Sequence, residues 1–247
     1  MKRKLIPLVS FVFIFLTNSC YMAKKSHDYY GIDLESNKYV FLIDISGSME
    51  NKIEKDAKGV VLNVATNVAA NTVGKVIGGS VGNMVGNKIK KSLTKLEKAK
   101  KNLIPVINGF TEENYFTVIT FENDIKLWRK ELIPATSANK KLAVAFIKSL
   151  KSGGGTNISD ALEEAFKLAG KGVNDETEVL DVETVFLLSD GEPSAGQYRS
   201  TQQILQKVEE WNELNRLQIH TVGLGDNHDE DFMRKMAVDN NGVYINK

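Results

Sequence analysis

The chain has 247 residues, 42% hydrophobic and 26% charged, a balance typical of a globular protein able to bury one sizeable core. Its formal net charge is +1, and without Lys2, Arg3 and Lys4, which lie in a segment expected to be removed, the remainder is slightly acidic. That balance excludes a global electrostatic attraction to nucleic acid, and a single cysteine cannot staple its own domain.

In chain order, the basic start gives way to an uncharged apolar run over 5–17 and then to Asn18 and Ser19, which reads as an export signal over 1–19. The run is too short for a bilayer span, which needs about 20 apolar residues. Cys20 follows at once. Leu16-Thr17-Asn18-Ser19-Cys20 resembles the lipidation box of bacterial lipoproteins, with Asn18 where a small residue is usual. The resemblance implies acyl chains on Cys20 and a lipid-anchored protein of the bacterial cell envelope, facing the periplasm or the cell surface. An ordinary secretory signal with an incidental cysteine and an uncleaved anchor are the alternatives. Residues 20–37 mix Lys24, Lys25, Asp28, Asp33 and Glu35 without apolar periodicity and read as a tether.

From residue 38 onward, short apolar runs alternate with helical patterns. This predicts an α/β fold over 38–247: a doubly wound, mainly parallel central sheet with helices on both faces. Residues 39–45 form an apolar run broken only by Asp44, as a central buried strand requires, and 116–121, 184–188, 219–224 and 243–245 are further candidate strands. Leu142, Ala145, Phe146 and Leu150 recur at helical spacing. So do Leu162, Ala165, Phe166 and Ala169, which stop at Gly170, and Leu205, Val208 and Trp211.

Three separated pieces carry the chemistry: Asp44-Ile45-Ser46-Gly47-Ser48-Met49 at the end of the first buried strand, Ser152-Gly153-Gly154-Gly155-Thr156-Asn157 opening a helix, and Leu188-Ser189-Asp190-Gly191-Glu192-Pro193 ending a later strand. Each alone has a plain reading as a turn or helix cap. Together they resemble the metal-ion-dependent adhesion site of von Willebrand factor A domains, with Asp44, Ser46 and Ser48 matching its Asp-x-Ser-x-Ser, Thr156 its threonine and Asp190 its second aspartate. The likeness extends over 116–121, 221–225 and 241–244. A donor set of carboxylate and hydroxyl oxygens suits Mg²⁺, with Mn²⁺ or Ca²⁺ as alternatives, and disfavours zinc. Neutral hydroxyls beside few carboxylates leave the ion residual positive charge and an open position, which an Asp or Glu of a partner protein completes. Strand-end placement agrees with the rule that open α/β sheets bind ligands beyond the carboxyl ends of their strands.

Catalysis finds little support. His27 falls in the tether, and His220 in an apolar strand reads as a hydrogen-bonded core residue. His228 lies with Asp226, Asp229 and Glu230 in what reads as a solvated acidic loop, a second ion site being the sharper alternative. No paired base and nucleophile is discernible, so the protein is expected not to be an enzyme.

Residues 51–93 form an apparent insertion: the resemblance implies a helix within a few residues of Met49, and the segment that looks like that helix begins only at 94–100. Gly74, Gly78, Gly82 and Gly86 recur every four residues there, a flat, glycine-zipper-like helical strip suited to close approach by a helix or membrane. Lys88, Lys90, Lys91, Lys95, Lys98, Lys100 and Lys101 follow, a cluster suited to anionic headgroups. The plainer reading is a helical hairpin or flap packed on the rim of the domain. The expected function is metal-dependent protein binding, in adhesion or envelope assembly. The alternative is an envelope structural or membrane-perturbing protein that self-associates through the glycine strip.

Overall fold

An apolar run of this kind can be buried on both faces only inside a parallel sheet covered by helices, and that is where residues 38–44 lie. The computed structural model describes residues 28–52, 93–170, 182–214, 217–226 and 228–247. A short hairpin, β1 (Asp28–Tyr29) and β2 (Ile32–Asp33), precedes β3 (Lys38–Asp44), in which every residue after Lys38 is buried. A 3₁₀ turn (Gly47–Glu50) leads on, and α1 (Lys95–Gly109) follows. Then come β4 (Tyr115–Phe121), β5 (Ile125–Leu127), β6 (Ile133–Pro134), α2 (Ser137–Ser149), α3 (Ile158–Leu168), β7 (Thr184–Ser189), α4 (Thr201–Trp211), β8 (Gln218–Gly223), α5 (Glu230–Asp239) and β9 (Tyr244–Asn246).

The sheet order is β5-β4-β3-β7-β8-β9. β3 pairs in parallel with β4 on one side and β7 on the other, β8 and β9 extend the parallel part, and β5 and β6 pair antiparallel with β4. The side chains of β3 alternate between two cores. Tyr39, Phe41 and Ile43 pack with Leu103 and Ile107 of α1 and Ile147 of α2, while Val40 and Leu42 pack with Leu162 of α3, Ile204 of α4 and Met233 of α5. This is the doubly wound arrangement expected from the alternating pattern. From β3 the chain winds toward β4, and from β7 it winds the opposite way toward β8. A crevice therefore opens between the carboxyl ends of β3 and β7.

Local chemistry fixes the helices. Thr94 and Glu97 make a reciprocal capping box at the start of α1. The antiparallel helices α1 and α2 cap each other's carboxyl ends with lysines: Lys140 Nζ donates to Phe110 O at 2.7 Å, and Lys100 Nζ donates to Leu150 O. Among the described residues no helix is long and apolar enough to cross a membrane.

Several expectations are corrected. The tether predicted over 20–37 does not hold from Asp28 onward, because the β1–β2 hairpin seats Tyr29, fully buried, edge-on against Phe41 and Phe186. Helix α5 was not anticipated: its apolar residues Phe232, Met233, Met236 and Ala237 are interleaved with five charged ones over 230–239, and its start lies in what read as a loop. Leu142, assigned to an apolar face, is 52% exposed. The signal segment 1–19, Cys20 and the glycine strip at Gly74, Gly78, Gly82 and Gly86 lie outside the described residues. The described ends of the insertion meet, since Lys52 bridges Thr94 and Lys95 N–H donates to Asn51 O at 3.0 Å.

Tyr29→Ala removes an aromatic ring from a core it helps to fill and is expected to cost about 3 kcal/mol or more, the range for large-to-small aromatic truncation. Urea denaturation of the two proteins measures it. A variant as stable as the wild type would mean the hairpin is a dispensable arm.

Candidate metal centre

The crevice is lined from the sequence upward. β3 ends at Asp44, whose Oδ1 accepts the Ser46 backbone N–H at 2.7 Å, and this turn throws the chain into the 3₁₀ segment that the fully buried Met49 anchors. Ser46 Oγ and Ser48 Oγ consequently lie 3.0 Å apart. β7, in register beside β3, ends at Ser189, whose hydroxyl donates to Asp44 Oδ2 at 2.5 Å. The next residue, Asp190, accepts Ser48 Oγ on Oδ1 at 2.7 Å and Lys95 Nζ on Oδ2 at 2.8 Å.

Thr156 arrives on the glycine loop. Gly153 N–H donates to Ile45 O at 2.8 Å and Gly47 N–H to Gly154 O at 3.0 Å, which pins this loop to the Asp44–Ser48 turn. Gly154 has φ +71°, and a side chain on it would collide with the Glu122 carboxylate, so the position requires glycine. Asn123 Oδ1 accepts Gly155 N–H at 2.9 Å, and Ser194 Oγ accepts Thr156 N–H at 2.9 Å. A methyl group on Gly191 would lie 3.6 Å from Thr156 Oγ1 and 3.7 Å from Ser48 Oγ, so both hydroxyls border the same spot. Asn157 then caps α3 by accepting Asp160 N–H.

All five residues singled out in the sequence, Asp44, Ser46, Ser48, Thr156 and Asp190, therefore meet at the carboxyl end of the sheet. The two carboxylates are completely inaccessible. Burial pushes the Asp44 carboxyl up to about 6, opposed by hydrogen bonds from Ser189 and Ser46 and reinforced by the charge of Asp190. Among the described residues no three His, Cys, Asp or Glu side chains converge, so the donors here are hydroxyls and carboxylate oxygens. Each carboxylate oxygen accepts one hydrogen bond and keeps lone-pair capacity. Such hard donors fit a divalent cation.

Sequence reasoning missed Ser189, Lys95, Asn123 and Ser194. Ser189 was legible as the neighbour of Asp190 within its motif, whereas the others act from other elements across the fold. Of the histidines, His220 is the expected core residue. It is 4% exposed, its Nδ1 accepts Val243 N–H at 2.9 Å, its ring stacks on Phe186, and burial lowers its pKa to about 4. The acidic-loop reading around His228 holds for Asp226, which is exposed outside any helix or strand, and is corrected for the others. Asp229 caps α5 by accepting Phe232 N–H, Glu230 pairs with Arg234, and His228, 8% exposed, bonds the Tyr244 hydroxyl at 2.7 Å.

Comparison with known proteins places this geometry. The model of the von Willebrand factor type A domain family matches residues 88–245, more than half of the chain. Asp44, Ser46 and Ser48 precede that match, and the fold brings them to it. Inter-alpha-trypsin inhibitor heavy chain H3 of Homo sapiens is 30% identical over 154 residues, 60% of this chain but 16% of that protein. Among solved structures, von Willebrand factor type A from Catenulispora acidiphila superposes with a TM-score of 0.55 at 17% identity, covering 85% of this chain and 38% of that one. Proximal thread matrix protein 1 from the mussel byssus, with a zinc-occupied MIDAS motif, superposes with a TM-score of 0.50 at 17% identity, covering 84% of this chain and 40% of that one.

A proton on Asp44 and a dication compete for the same pocket. Because the folded carboxyl titrates near 6, Mn²⁺ affinity by calorimetry should fall about tenfold from pH 7 to pH 5 as the protonated form takes over. Asp44→Asn should bind weakly and lose that slope. An affinity unchanged between pH 7 and 5 in the wild type would contradict the assignment.

Proposed function

The chain belongs to the von Willebrand factor type A domain family, and from that premise we propose that it is a non-catalytic binding module that grips an acidic group of a protein partner through a divalent ion. Ser46, Ser48 and Thr156 supply neutral oxygens to the ion, and Asp44 and Asp190 supply the negative charge behind them. When bound, the ion contributes Lewis acidity toward an Asp or Glu carboxylate of the partner. The observation that carries this reading is the convergence of these five side chains from three separate stretches of chain, with Ser48 Oγ donating to Asp190 at 2.7 Å and the Ser189 hydroxyl bonding Asp44.

The oxygen donors favour Mg²⁺, with Mn²⁺ and Ca²⁺ as alternatives. The zinc-occupied motif of the mussel byssus protein adds Zn²⁺ to the ions worth testing. Binding rather than catalysis is supported by His220, committed to the Val243 backbone, and by His228, committed to the Tyr244 hydroxyl. Export and lipid anchoring at Cys20, which would place the module in the bacterial cell envelope, rest on the sequence of the first twenty residues. The chain spans about a sixth of the relative's length, so the partner proposed here is argued from the site and not from that protein.

The test is a pull-down from envelope extracts with purified protein in Mg²⁺, in EDTA, and with Asp44→Ala. Partners should be retained in Mg²⁺ and lost both in EDTA and with the variant, and blocking carboxylates in the extract should abolish retention. Retention of the same partners in EDTA would defeat the proposal. Detergent-resistant self-association indifferent to EDTA would point instead to the glycine strip.

A further inference from the structure

Lys95 is an unusual residue for its position. It opens α1, where the helix dipole presents positive charge and disfavours a cation. Its side chain nevertheless turns inward, 5% exposed, and places Nζ 2.8 Å from Oδ2 of the fully buried Asp190. The ion pairs of Lys167, Lys207, Arg234 and Lys235 lie instead along exposed helix surfaces. Two features hold Lys95 in place. Its backbone N–H donates to Asn51 O at 3.0 Å, tying it to the loop that carries Ser46 and Ser48. Gly225, with φ +76°, leaves the passage its side chain uses, since a Cβ there would lie 3.0 Å from Lys95 Cε and 3.2 Å from Nζ.

The charge balance gives this pair a consequence. Two carboxylates and a dication sum to zero, and a neutral centre has little call for an anionic ligand. With one ammonium buried in the same cluster the sum is +1.

We propose that Lys95 is the built-in counter-cation of the metal centre: by neutralising Asp190 it leaves a bound divalent ion with net positive charge, so that the centre is completed by a carboxylate from outside. This deepens the proposed function and rests on the metal-site reading. Lys95 is a positioning and charge-setting residue that weakens metal binding in the free protein and strengthens the coupling between metal and acidic ligand. By linkage, a carboxylate that tightens metal binding is itself tightened by the metal to the same degree.

The experiment measures Mn²⁺ affinity by electron paramagnetic resonance of the free ion, with and without saturating acetate as the probe carboxylate. In the wild type, acetate should tighten Mn²⁺ binding. Lys95→Met, which keeps length and removes charge, should bind Mn²⁺ at least about tenfold more tightly without acetate, since one unit charge about 6 Å from a dication has that effect even under water-like screening, at a dielectric constant of about 80, and should lose most of the acetate effect. Lys95→Arg should retain wild-type behaviour. Because Lys95→Met leaves Asp190 buried without its partner, a second comparison covers loss of folding: Asp190→Asn should bind Mn²⁺ poorly, and Asp190→Asn with Lys95→Met, which restores the wild-type charge sum, should bind it better. Weaker or unchanged binding by folded Lys95→Met, or no recovery in the double variant, would overturn the role of Lys95 while leaving the metal centre standing. No Mn²⁺ binding by the wild type would bring down the metal-site reading and this proposal with it.

Discussion

Two carboxylates buried against each other at the ends of neighbouring parallel strands are the constraint on which the rest of this molecule turns. Asp44 and Asp190 are both fully inaccessible, and an uncompensated buried charge is among the most destabilising features a fold can carry. Each is compensated in its own way. Asp44 takes a backbone N–H and the Ser189 hydroxyl, and burial still raises its pKa to about 6. Asp190 takes the Ser48 hydroxyl and the Lys95 ammonium. The arrangement is internally satisfied, yet two more hydroxyls, of Ser46 and Thr156, stand beside it with oxygen lone pairs to offer.

Topology creates the place where this happens. Because the chain winds one way from β3 and the opposite way from β7, no crossover covers the seam between their carboxyl ends. The loop through Gly153, Gly154 and Gly155 fills one side of that seam, held by backbone bonds to Ile45 and Gly47 and braced from outside by Asn123 and Ser194. The stacked aromatic core of Tyr39, Phe41 and Phe186 beneath keeps β3 and β7 in register, and the register sets which residues of their end loops meet.

Much of this was legible in the sequence because the ligand-type residues sit within a few positions of strong local signals. Asp44 closes an apolar strand, Asn157 and Thr156 open a helix, and Asp190 ends another strand, so element boundaries placed them all at one edge of the sheet. Lys95 was read only as one lysine in a basic run, because nothing local distinguishes a side chain that turns inward from its neighbours that face solvent. Asn123 and Ser194 each hold the glycine loop and its exit through two hydrogen bonds, and such long-range partners leave no periodicity. The β1–β2 hairpin escaped notice because Tyr29 and Ile32 stand in a polar segment too short to show alternation. In α5 the five charged residues of its ten masked the apolar ones that pack inward. The histidines show the same division: His220, inside a long apolar strand, was placed correctly from its surroundings, whereas His228 was not, because its burial depends on Tyr244 arriving from the last strand.

Every role proposed for these side chains depends on a divalent ion sitting among the hydroxyls of the crevice. Crystals of the domain grown with Mn²⁺ and measured at an energy where manganese scatters anomalously locate that ion directly. The expected result is one strong anomalous peak within coordination distance, about 2.0–2.6 Å, of Ser46 Oγ, Ser48 Oγ and Thr156 Oγ1, with Lys95 Nζ still on Asp190. A map with no peak at those hydroxyls, or with manganese bound only elsewhere on the surface, would contradict it.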